Sequence, residues 1–70
     1  MGKLQMCIVE VLKRAESPIS TRQLCVEIYG EAGKKNLNNV GKACHILEGY
    51  GQIRIAKRLP VSGNYWEWVK

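Results

Sequence analysis

Asn38, Asn39, Lys42, His45 and Ile46 carry the side chains best suited to contact another molecule. On a helix of 3.6 residues per turn this spacing places all five on or near one side. A carboxamide can bond the N6/N7 edge of adenine through both of its polar atoms. A lysine one turn later reaches a guanine edge or a phosphate, and an isoleucine can lie on a thymine methyl. His45 adds a ring with two nitrogens, and Gly41 among these residues leaves room for close approach. Each side chain also has a plainer use: Asn38 as a helix cap, Lys42 as a surface cation, His45 as a solvated ring without a catalytic partner.

Cations flank this group. Lys34 and Lys35 precede it, and Arg54, Lys57 and Arg58 follow it. All five suit phosphate contacts, although Arg and Lys on a strand also deter stray edge pairing. The net charge is +5. In residues 1–33, Lys3, Lys13, Arg14 and Arg22 balance Glu10, Glu16, Glu27 and Glu31, so the whole excess lies in residues 34–70. That asymmetry predicts an anionic partner engaged by the second half.

Other chemistries find no support. The chain has no aspartate, a single histidine and no glycine-rich loop leading into Lys-Ser/Thr, so neither an enzyme nor a cofactor is expected. Cys7, Cys25 and Cys44 are odd in number and widely spaced, which fits neither a disulfide framework nor a paired-cysteine zinc site. Cys44 and His45 are adjacent and point about 100° apart on a helix, an arrangement that rarely ligates one metal. The cysteines are read as small core residues and no metal is expected. The four glutamates of the first half read as solvated helix faces. No apolar run approaches the roughly 18 residues of a membrane span, and the N-terminus lacks a secretory pattern, so a cytoplasmic protein is expected. With 46% hydrophobic and 24% charged residues, the chain falls in the globular range. Its length predicts one domain over residues 1–70, with a small core.

The elements that must position these residues follow from periodicity. Leu4, Cys7, Ile8, Val11, Leu12 and Ala15 make one apolar stripe and predict a helix over Lys3–Ala15, closed before Pro18. Ile19 suits a one- or two-residue strand. Ser20-Thr-Arg-Gln23 has the form of a capping box and opens a second helix, whose buried face is Leu24, Cys25 and Ile28 with Tyr29 at its margin. Gly30 and Gly33 stop it, and Gly30–Lys35 reads as a turn. A third helix follows, capped by Asn36 or Asn38 and running to Gly49, with Leu37, Val40, Cys44 and Leu47 facing inward. Gly49 and Gly51 end it. Ile53–Arg58 and Tyr65–Val69 alternate as strands. Between them Leu59–Asn64 forms a hairpin loop with Ser62, Gly63 and Asn64 as turn residues. Trp66 and Trp68, at alternate positions, are read as core rather than as stacking platforms.

The order helix, short strand, helix, helix, strand, strand resembles the winged helix-turn-helix superfamily over nearly the whole chain. Ser17-Pro-Ile-Ser-Thr-Arg-Gln-Leu24 is similar to the entry into that family's second helix. Val40-x-x-x-Cys44-x-x-Leu47 matches its buried recognition-helix positions, and Leu47-Glu-Gly-Tyr-Gly-Gln-Ile53 resembles the passage into the first wing strand. The resemblance implies an α+β fold, a recognition helix over Asn38–Gly49 in the DNA major groove, and a wing over Ile53–Val69 on the backbone. It further implies a small transcriptional regulator that is nucleoid-associated, with double-stranded DNA as partner; the limited contact area of one module predicts a homodimer on DNA, or a tandem array. The chain lacks the dimerisation helices of MarR-type relatives. It also departs from the Z-form nucleic-acid subgroup, holding Gly41 and His45 where that group has asparagine and tyrosine. The other reading of the same fold is a protein-interaction winged helix without direct DNA binding, docking through its first helix and a tryptophan-rich edge.

Overall fold

A computed structural model describes residues 2–60 and 63–69. The elements are α1 (Lys3–Arg14), β1 (Ile19–Ser20), α2 (Thr21–Tyr29), α3 (Lys34–Gly49), β2 (Ile53–Leu59) and β3 (Gly63–Trp68). The class is α+β, three helices on a three-stranded antiparallel sheet of order β1-β3-β2, an arrangement compatible with a winged-helix layout. Among the described residues no helix is long and apolar enough to cross a membrane.

Helix α1 ends one residue before the expected Ala15, whose backbone is already extended. Its last turn carries Lys13 and Arg14, the sign that the negative helix C-terminus favours. Ile8, Val9 and Leu12 are buried, while Leu4 and Val11 pack at the margin. At the start of α2, Ser20 Oγ accepts from the Gln23 amide at 3.0 Å. The reciprocal half of the capping box does not form. The Gln23 side chain donates instead to Glu27 Oε1 at 3.0 Å, one turn along. Gly30 ends α2 at φ 82°, a left-handed conformation that costs a non-glycine residue about 1–2 kcal/mol. Tyr29 stays exposed at 41%.

Helix α3 begins four residues earlier than the expected Asn38. Gly33 is its N-cap, Lys34 and Lys35 lie in its first turn, and neither Asn36 nor Asn38 caps it. The cause lies in packing. Ala32 and Leu37 rest against the core, and the Leu37 amide donates to Gly33 O at 2.8 Å, which closes a turn before either asparagine. The other end closes as a Schellman motif: Gln52 N–H donates to Leu47 O at 3.1 Å, and Gly51 N–H to Glu48 O at 2.9 Å. Gly51 takes the left-handed position at φ 79°.

Core side chains come from every layer: Ile8 and Leu12 from α1, Leu24 and Cys25 from α2, Val40, Cys44 and Leu47 from α3, Ile53 from β2 and Trp66 from β3. Trp66 is the largest of them, only 1% exposed, and Trp68 packs at the edge beneath Lys13. In β2 the alternation holds for Ile53, Arg54 and Ile55 and then breaks. Ile55 pairs with Trp66, but Lys57 pairs with Tyr65, so Ala56 is an extra residue in a bulge. The strands extend further into the hairpin than expected: Leu59 pairs with Gly63, and Arg58 with Asn64. Ser62, expected as a turn residue, and Lys70, counted in the charge, lie outside the described residues.

Candidate nucleic-acid interface

The inward side of α3 is Val40, Ala43, Cys44 and Leu47, all buried. At 100° per residue, Lys34, His45, Asn38, Lys42, Lys35, Ile46 and Asn39 then follow one another around an outward arc of about 140°. All seven are exposed, Ile46 at 46%. From Lys34 to Ile46 the arc runs about 18 Å along the axis, at 1.5 Å per residue. It contains three lysines, two carboxamides and one imidazole, and no acidic residue.

The beginning of α3 is electrostatically unusual. Its first turn holds no acid, its cap offers no side-chain acceptor, and Lys34 and Lys35 sit at the positive end of the helix. Two cations thus stand at a helix end where an anion is favoured, with the Glu31 carboxylate beside the Gly33 cap.

His45 lies near one margin of the arc. Its ring meets Trp66 edge to face, with centroids 5.3 Å apart and planes at 84°. Nδ1 is 3.4 Å from Glu48 Oε1. The indole that holds it is itself tied down: Trp66 Nε1–H donates to Thr21 Oγ1 at 2.9 Å, and the Thr21 hydroxyl donates to Asn64 O at 3.4 Å. One chain of contacts therefore links α3, β3 and α2 behind the outward face.

The hairpin cations do not act as one set. Arg54 and Glu67 are cross-strand neighbours and form an ion pair, on the sheet face opposite Ile53 and Trp66. The bulge at Ala56 exchanges the faces of the two residues after it. Lys57 joins the outer face, its Nζ 5.5 Å from the Tyr65 ring centroid, whereas Arg58, opposite Asn64, shares the Trp66 face turned towards α3. Glu48 and Glu67 thus each engage one expected contact residue, His45 and Arg54, and leave Lys34, Lys35, Lys42, Lys57 and Arg58 without an acidic partner among the described residues.

Lys3 was missed at the level of sequence. Gly2, Lys3, Leu4 and Gln5 line one side of a hollow whose other side is Asn39, Lys42, Ala43 and Ile46. The start of α1 thereby extends the cationic ledge of α3. Nothing in the periodicity of α1, which reports only its buried stripe, signals this.

The cysteines offer no reactive group. Burial pushes the Cys44 thiol up to about 12. The Cys25 thiol is also raised, by burial first and by the Glu31 carboxylate second, against an opposing effect of Arg22. Cys25 Sγ lies 3.2 Å from Glu31 O and all three cysteines are unpaired. Among the described residues no group of three or more His, Cys, Asp or Glu side chains converges. No family model matches this chain and no curated protein matches it, so the arrangement of its own residues carries the functional reading.

Proposed function

We propose that this chain is a winged helix-turn-helix protein that binds double-stranded DNA as a transcriptional regulator, in the cytoplasm on the nucleoid. Helix α3 lies in the major groove and the β2–β3 hairpin serves as the wing on the adjacent backbone. The observation that carries this reading is the outward arc of α3, cationic and amide-rich over about 18 Å with no acid within it. A helix about 10–12 Å wide fits a groove about 12 Å wide. Lys34 and Lys35 take phosphate at the helix start, Asn38, Asn39, Lys42, His45 and Ile46 face base edges, and Lys57 and Arg58 hold the backbone. Arg54, neutralised by Glu67, contributes little. The protein-docking alternative loses its aromatic edge, because Trp66 is buried and Trp68 packs beneath Lys13.

The test is duplex binding as a function of salt. Four phosphate contacts, by Lys34, Lys35, Lys57 and Arg58, give a slope of log K against log salt of about −3.6. Absence of duplex binding at low salt refutes the proposal. One such module covers only about 600–1,000 Å² of protein surface on DNA, so useful affinity calls for two copies on a palindromic site. Light scattering with a palindromic duplex checks this, and a tight 1:1 complex would count against it.

A further inference from the structure

We propose that His45 reads the exocyclic amino group of a base in the major groove, cytosine N4 or adenine N6, accepting its hydrogen on Nε2. This inference rests on the duplex-binding reading above. It starts from the Nδ1 contact with Glu48 Oε1 at 3.4 Å. A carboxylate oxygen only accepts, so in the neutral form of the ring the contact selects the tautomer with its proton on Nδ1 and a lone pair on Nε2. Edge-to-face packing on Trp66 fixes the plane of the ring. That indole cannot turn away, being buried and held through Nε1–H on Thr21. The His45 side chain is 59% exposed, and among the described residues Nε2 has no hydrogen-bond partner.

The chemistry of the neighbours sharpens the assignment. Lys42 on the same arc and Arg58 on the α3-facing side of the hairpin are donors only, and Asn38 and Asn39 offer both a donor and an acceptor. His45 Nε2 is the one group of the set that can only accept. Bases present acceptors at G O6/N7, A N7 and T O4, and donors at C N4 and A N6. Set against base edges, an accept-only group pairs with an amino group. Glu48 and Trp66 act as positioning residues through the ring.

Two measurements test this. Long-range ¹⁵N correlation of the free protein at pH 8 should show the Nδ1–H form of His45, and Glu48→Ala should shift it towards the Nε2–H form. A wild-type ring protonated on Nε2, alone or together with Nδ1, overturns the inference without DNA. A duplex obtained by selection is then scanned, replacing each cytosine by 2-pyrimidinone and each adenine by purine, which lack the amino group. One position should cost wild-type protein about five- to tenfold in affinity, as one hydrogen bond does, and cost His45→Ala nothing further. Positions read by the asparagines stay sensitive in both. Equal losses for wild type and His45→Ala at every position overturn this inference and leave the DNA reading standing. Failure of any duplex to bind overturns both.

Discussion

Reversing the two lysines at the start of α3, Lys34→Glu with Lys35→Glu, should strengthen the fold and weaken DNA binding in the same protein. A cation in the first turn of a helix opposes the macrodipole by about 0.3–1 kcal/mol, and an anion there gains a similar amount. Both lysines are exposed, so the lower end applies, and each reversal is worth about 0.6 kcal/mol, about 1.2 kcal/mol for the pair. No acid in the first turn and no side-chain cap already offset this cost. In a domain of this size about 1 kcal/mol corresponds to a rise in Tm of about 4–8 °C. Thermal unfolding followed by circular dichroism at low salt reads the gain. In 1 M salt, where the Debye length is about 3 Å, the gain should shrink. Duplex titration of the same variant should lose two phosphate contacts, flattening the salt slope from about −3.6 to about −1.8. A lower Tm refutes the electrostatic account of the helix start. An unchanged slope refutes its role in holding phosphate.

Thr21→Val removes the half-buried acceptor of Trp66 Nε1–H, leaves that donor of a buried indole unpaired, and should cost about 1–3 kcal/mol in urea unfolding; an unchanged midpoint would dissolve the contact chain behind His45. Cys44 keeps its proton in the folded state up to about 12, while the unfolded thiol releases it near 9.0. The stability that Cys44 contributes is therefore whole below pH 9 and falls above it by up to about 1.4 kcal/mol per pH unit; in denaturation curves between pH 8.5 and 11 Cys44→Ala should remove this part and leave that of the likewise raised Cys25 thiol. A Cβ at Gly41 meets nothing within 4 Å inside the protein. Gly41→Ala should thus stabilise the helix by about 0.5–1 kcal/mol, and any accompanying loss of duplex affinity measures how closely α3 approaches its ligand.

Much of this architecture is legible in the sequence because its signals are local. Periodicity alone locates Leu12, Leu24, Val40, Cys44 and Leu47 in the core, and Ser20 marks the start of α2 by the chemistry of its hydroxyl. The start of α3 is not legible, since it follows from where Ala32 and Leu37 find contacts across the molecule and not from the asparagines that local capping rules favour. The bulge is equally hidden. Ala56 is an ordinary strand residue, and only the pairing of Ile55 with Trp66 and of Lys57 with Tyr65 reveals it. Register also decides the fate of Arg54, since a cation in a strand looks available until the residue across from it is known to be Glu67. The approach of Lys3 to Lys42 joins residues far apart in sequence, which no short-range pattern reports.

The extra residue at Ala56 separates two jobs within one strand. Below it, the choice of side chain is dictated by the need to insert every second residue between helices and indole. Beyond it, that phase no longer applies, and the tip is a platform whose charged groups can be changed without disturbing the interior. Taking Ala56 into the ladder opposite Tyr65 would leave the interior intact yet shift the tip by one residue, presenting lysine where arginine now faces α3. The hairpin is in this sense indexed: a single backbone step selects which cation accompanies the helix.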